Sequence, residues 1–248
     1  MLINFVHFER ARFDERDAEI LATYAQQLAE LVGYLEITAN DYEAATAEYQ
    51  DSLYRWYPVL EAVKERTGGT LSTDDLTAEE LELHGEVGVN GLTVYLRIET
   101  FYVFAKILLD RLARLIPHYF GHADYVPLSK HRQLPGTLPA FAEQKGLTLS
   151  PELAERVVEL QRRISDYRDK TITHGHSPRT YRGTALELST GEAMISTQRV
   201  YPVNETEMGL RSETPRTLLP LIETYVDDLV AFLASNRDKA SLSAGGLG

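Results

Sequence analysis

The chain is 248 residues long, 44% hydrophobic and 25% charged, with a formal net charge of −12 and no cysteine. That length fits one large domain with an ordinary core. The missing cysteines exclude disulfides, thiolate metal sites and cysteine nucleophiles, and the charge disfavours a broad non-specific DNA-binding surface.

No apolar run approaches the ~20 residues that span a bilayer, so no membrane attachment is expected. The opening residues, Met1-Leu2-Ile3-Asn4-Phe5-Val6, lack a basic region and meet Glu9 and Arg10 at once. That speaks against a signal peptide and makes a cytoplasmic location the expectation.

Asp14 to Thr38 is predicted as a helix, because Ile20, Leu21, Tyr24, Leu28, Leu31, Val32 and Leu35 recur at steps of three and four. A second helix is predicted from about Asp41 to Arg66, ending at Gly68-Gly69, with Pro58 kinking or dividing it. Ser72 to His84 reads as a short acidic helix capped by Ser72 or Thr73. Gly91 to Tyr119 is the strongest core helix, with apolar residues over more than half its circumference. A Gly/Pro-punctuated connection follows to Ser150, holding a short helix near Leu138 to Lys145.

Ser150-Pro151-Glu152 has the cap, the first-turn proline and the acid that open a helix. Leu153, Val157, Leu160, Ile164 and Tyr167 form its apolar stripe, and the helix is expected to end near His174-Gly175. Ala185-Leu186-Glu187-Leu188 and Ala193-Met194-Ile195-Ser196-Thr197 flank Ser189-Thr190-Gly191-Glu192 as a β-hairpin, with a further strand read at Arg199 to Val203. Thr214-Pro215 opens the last helix, which runs through Asn236. The pattern describes an all-α fold: an up-and-down helical bundle forming one domain over residues 1–240. The β-hairpin is inserted before the last helix, at about residues 184–204, and a Gly/Ser-rich tail covers 241–248.

Several chemistries find little support. His118 and His122 have the four-residue spacing of a helical metal pair, with His131 at loop distance. Pro117 and Gly121 bracket that pair and no His-Glu-x-x-His pattern is present, so no metal or other cofactor is expected. There is no Walker loop, dinucleotide glycine fingerprint or Gly-x-Ser-x-Gly elbow. Tyr42, Tyr49, Tyr54, Trp56 and Tyr57 could stack on RNA bases, but aromatics at helical spacing are more often core or interface.

The segment Arg168-Asp169-Lys170-Thr171-Ile172-Thr173-His174 is the strongest functional signal. Arginine holds phosphate charge through a fixed fork of donors, and histidine moves protons near neutral pH. The two Cα directions differ by about 120° on an ideal helix, a gap that a long arginine closes where the last turn loosens. Asp169 can orient either partner. An arginine and a histidine in a last turn also complement the helix dipole, which is the structural alternative. The motif lies in a basic island: Arg156 to Arg182 holds seven basic and three acidic residues, a balance of +4 within an acidic chain. Lys170, His176, Arg179, Arg182 and Arg163 are the expected phosphate contacts.

These residues resemble the R-x(4–6)-H motif of HEPN domains, with Arg168 as the motif arginine, Asp169 as its polar follower and His174 as the motif histidine. The resemblance covers roughly Gly91 to Arg237 in helix order and is specific only at those three residues. It implies a helical bundle that forms homodimers and a metal-independent endoribonuclease of toxin or phage-defence type acting on RNA. Arg168, His174 and Asp169 would be catalytic. An antitoxin or a nucleotidyltransferase is the kind of further partner it implies. The alternative within the same resemblance is a non-catalytic interaction or nucleotide-binding module.

Overall fold

The computed structural model describes residues 2–69, 72–124, 126–165, 180–187, 190–200, 206–211 and 213–242, with backbone only along 180–183, 196–200 and 206–211. The fold is all-α apart from one small sheet. Its helices are α1 (Leu2–Glu9), α2 (Glu15–Thr67), α3 (Ala78–Phe120), α4 (Leu134–Lys145), α5 (Pro151–Leu160) and α6 (Pro215–Ser235). Strands β1 (Thr180–Glu187), β2 (Glu192–Val200) and β3 (Thr206–Arg211) lie between α5 and α6. No helix among the described residues is long and apolar enough to cross a membrane.

Two pairs of predicted helices are each one continuous helix. Asp14 caps α2 by accepting the Asp17 N–H at 2.8 Å. The helix then runs unbroken through the expected gap at residues 39–40. No Gly or Pro interrupts that gap, and Leu35, Ala39, Tyr42, Ala45 and Tyr49 carry one buried stripe through it. Pro58 does not divide the helix either. It removes the N–H that would reach the Tyr54 carbonyl, but Pro58 and Tyr54 are both exposed, on the side of the helix where a freed carbonyl costs least.

The predicted acidic helix and the predicted core helix likewise merge into α3, across Gly85, Gly88 and Gly91. Each glycine costs about 1 kcal/mol in a helix interior, so packing and not propensity carries this stretch. The capping box formed by Ser72 and Asp75 belongs to a separate single turn, Thr73–Asp75.

The chain divides into two compact units. The first comprises Met1–Ile37, Phe101–Gly175 and Thr217–Gly248. Its core combines Leu21, Leu28 and Leu35 of α2 with Phe101, Leu108, Leu112 and Tyr119 of α3. Leu138 and Phe141 of α4, Leu153 and Val157 of α5, and Leu218, Ile222, Tyr225 and Leu229 of α6 complete it. Helix α1, which periodicity did not reveal, buries Leu2, Phe5 and Val6. Its Glu9 is buried as an acceptor for the Tyr119 hydroxyl at 2.7 Å and for Arg12 at 2.9 Å.

Helix α4 ends at Gly146, whose φ of 63° lets the Leu147 N–H return to the Ala142 carbonyl at 2.8 Å. Asn236 then fixes the next loop, accepting the Thr148 N–H at 2.7 Å and donating to the Thr148 carbonyl at 3.0 Å. Ser241, read as the start of a free tail, is tied down: it donates from its N–H to Tyr119 and from its hydroxyl to Phe120. Residues 243–248 lie outside the described residues.

The second unit comprises Thr38–Thr100 and His176–Arg216. Its sheet has three antiparallel strands in the order β1-β2-β3, one more than the predicted hairpin. Arg199 and Val200, the start of the segment read as a further strand, belong to β2; residues 201–203 lie outside the described residues, and the third strand begins at Thr206. Thr184 pairs with Ile195 and Thr197 with Gly209.

The sheet is pinned to the helices by tyrosines whose rings are buried and whose hydroxyls reach backbone oxygens. Tyr42 donates to the Ala193 carbonyl at 2.9 Å and Tyr49 to the Thr184 carbonyl at 3.2 Å. The Thr184 hydroxyl donates to the Gly91 carbonyl at 2.7 Å. Gly91 lies close against this contact: a Cβ there would stand 3.2 Å from the Tyr49 ring, which would have to give way by a few tenths of an ångström.

Candidate functional site

The start of the helix that leads toward the Arg168–His174 motif is built as its sequence predicts, while Tyr167 and the expected end near His174-Gly175 lie outside the described residues. The Ser150 hydroxyl accepts the Leu153 N–H at 3.2 Å, Pro151 occupies the first turn, and Leu153, Val157 and Leu160 face inward. Arg156 crosses from α5 to Asp228 of α6 with Nε 2.8 Å from the carboxylate. The helix then widens into a π-turn over Gln161–Ser165, with Ile164 and Ser165 buried. Single π-turns inside helices recur at functional sites, because they re-aim the side chains that follow.

Arg168, Asp169, Lys170, His174, His176 and Arg179 lie outside the described residues. Arg182 is placed by its backbone on β1, opposite Thr197 of β2, and its side chain lies outside the description. Arg163 is half-buried, with Nη2 2.9 Å from the Glu159 carboxylate one turn earlier. That i,i+4 pair sets its guanidinium against its own helix.

A buried polar cluster stands beside the π-turn, and sequence reasoning did not find it. Lys106 and Asp110, one turn apart on α3, pair with Nζ 2.6 Å from Oδ1. The same carboxylate oxygen accepts the His131 N–H at 2.8 Å. The His131–Gln133 turn packs on the π-turn, and the His131 ring meets Tyr225 edge-to-face at 5.4 Å.

His131 is completely buried, and neither ring nitrogen has a hydrogen-bond partner among the described residues. Burial, reinforced by the Lys106 charge, lowers its pKa to about 3. Its imidazole is therefore neutral at physiological pH. Burial alone pushes the Tyr225 hydroxyl well above the usual phenol range. With no exposed surface, His131 cannot reach a substrate, and the cluster acts by holding α3, α6 and the π-turn together. The available signal was Lys106 and Asp110 at i,i+4 spacing inside the helix read as the strongest core helix.

The remaining sequence features resolve into packing. His118 is buried against the Tyr24 ring, with centroids 6.3 Å apart, whereas His122 is exposed. Among the described residues, no group of three or more His, Asp or Glu side chains stands close enough to hold a metal ion. Tyr42, Tyr49 and Trp56 are core residues of the second unit, and Tyr54 and Tyr57 face solvent. A groove of about 450 Å³ opens in the first unit over Leu28, Leu108 and Leu112, rimmed by Glu223 and Asp227.

Comparison with protein-family models, with curated proteins and with solved structures finds no match for this chain.

Proposed function

We propose that this chain is a metal-independent endoribonuclease whose chemistry is carried by Arg168, Asp169 and His174, with a cellular role of toxin or defence type. The observation that carries the reading is the motif itself, an arginine-acid pair and a histidine inside a +4 island of a chain with net charge −12. The all-α fold supports it: a capped helix and a π-turn lead into the motif, and one helix follows.

In the mechanism, His174 removes the proton of an RNA 2′-hydroxyl, and the 2′-oxygen attacks the adjacent phosphorus. Arg168 holds the charge that gathers on the non-bridging oxygens, and Asp169 orients the pair. The 5′-oxygen leaves and takes up a proton, giving a 2′,3′-cyclic phosphate and a 5′-hydroxyl. Lys170, His176, Arg179 and Arg182 neutralise flanking phosphates. Arg163, paired with Glu159, contributes field more than contact. A homodimer would bring two motifs to one cleft.

The test is cleavage of a mixed-sequence RNA in EDTA by the wild type and the Arg168→Ala and His174→Ala variants. Loss of the histidine should lower the rate by about 10²–10⁴-fold, the usual contribution of a positioned acid or base. Product ends should carry the cyclic phosphate. Equal cleavage by wild type and variants would sink the assignment. The second reading is a non-catalytic binding module with the motif in a structural role. The overall charge of −12 favours it, since that charge opposes the approach of RNA, and RNA left intact by the wild type would support it.

A further inference from the structure

From Leu81 to Leu96 the solvent face of α3 is largely apolar. Its exposed positions from Leu81 to Leu96 are Leu81, Glu82, Gly85, Gly88, Val89, Leu92 and Leu96. Of these only Glu82 is charged, although this is the side of the helix that meets water. Leu81, Val89, Leu92 and Leu96 are 47, 62, 70 and 57% exposed. A solvated helix face is normally its polar face, and α2 obeys that rule over the same unit with Glu48, Asp51 and Arg55 outward.

We infer that this face of α3 pairs with the same face of a second copy of the chain, antiparallel about a two-fold axis near Val89 and Asn90. The pattern is self-complementary. Antiparallel helices paired at the level of Asn90 place Leu92 of one copy over Gly88 of the other and Leu96 within one residue of Gly85, with Val89 one residue from the axis. Large side chains thus enter the notches left by glycines, as an isologous interface requires.

The notches are open within one copy: a Cβ on Gly85 or Gly88 would meet nothing within 4 Å. Among the described residues nothing accounts for two glycines that weaken this helix, whereas close helix approach does. The area fits as well. At on the order of 100 Å² of exposed apolar surface per large side chain, the face offers about 400 Å² per copy. A standard interface needs ~800 Å² per partner, of which roughly 57%, or about 450 Å², is apolar. The inference rests on exposure and residue size, and it stands whether or not the chain cleaves RNA.

The chain has no cysteine, so single cysteines report the geometry directly. Val89→Cys should form a disulfide-linked dimer on mild oxidation, because facing residues near a two-fold axis come within disulfide range. Ile37→Cys, equally exposed on α2, should not. By analytical ultracentrifugation at micromolar concentration, the wild type should be a dimer. Leu92→Glu should weaken it on the order of 100-fold or more, since each carboxylate is buried against an apolar face twice per dimer. Gly88→Leu, whose Cβ would meet nothing within 4 Å, should weaken it too. Unchanged far-UV circular dichroism would show that both variants fold. A monomeric wild type, or a dimer that survives both substitutions, overturns the inference.

Discussion

His131 gives a quantitative test of how buried polarity limits this fold. Its folded pKa of about 3 lies below the ordinary value of 6.5 because the ring is wholly buried beside Lys106. The sign follows from proton uptake. Above 6.5 neither state binds the proton, and the group costs nothing. Between 6.5 and 3 the unfolded chain takes a proton that the native chain refuses, so stability falls as pH falls. At 1.36 kcal/mol per pH unit, the loss reaches about 2 kcal/mol at pH 5 and about 3.4 kcal/mol at pH 4.

His131→Leu removes the titration and keeps the backbone N–H that bonds Asp110. Neither ring nitrogen has a partner among the described residues. The variant should therefore match or exceed wild-type stability at pH 7, by up to about 1 kcal/mol. Urea unfolding followed by circular dichroism, at pH 7, 5 and 4, measures the difference between the two proteins and so cancels the carboxylates they share. Parallel stability–pH curves would refute the reasoning, as would a variant that loses several kcal/mol at pH 7.

Three further outcomes are expected. Tyr42→Phe deletes the hydroxyl that donates to the Ala193 carbonyl and should cost about 1 kcal/mol, read as a lower urea midpoint and faster amide exchange at Ile195. Asn236→Ala strands the Thr148 N–H and carbonyl as well as the Phe232 carbonyl and should cost about 2–4 kcal/mol; proteolysis between α4 and α5 should accelerate. Two glycines of one helix should respond with opposite sign in thermal melts under conditions that keep the protein monomeric. Gly91→Val drives a branched side chain into the Tyr49 ring and should destabilise by about 1–3 kcal/mol. Gly88→Ala, in open space, should stabilise by about 0.5–1 kcal/mol.

Period-3.6 hydrophobicity picked out the long helices, and short-range start signals located α5 at Ser150-Pro151 and α6 at Thr214-Pro215, because such signals involve residues only a few positions apart. The same local logic misplaced the breaks. Gly85, Gly88 and Gly91 signal helix ends in isolation, yet α3 runs through them. Packing against Tyr49 and the Thr184 hydroxyl outweighs the propensity lost at Gly91. Helix α1 escaped notice because two turns are too short for a period to stand out. The third strand is read too early, at Arg199 to Val203, because in Thr206 to Arg211 only Met208 and Leu210 alternate with polar or small residues; its pairing with β2 fixes its place instead.

What the sequence determined by itself is therefore local: helix type, helix caps, the β1–β2 turn, the absence of thiol chemistry, and the motif of Arg168, Asp169 and His174 with its surrounding positive charge. What only the tertiary structure decided is which polar groups leave water. Lys106, Asp110 and His131 stand 4 and 21 residues from one another along the chain and form one buried cluster only because α3 and the following turn pack together. Likewise Leu92 reads as one more core leucine of an apolar helix, and only the packed chain leaves it 70% exposed. Burial is a property of neighbours brought together from distant positions, so no window of sequence contains it.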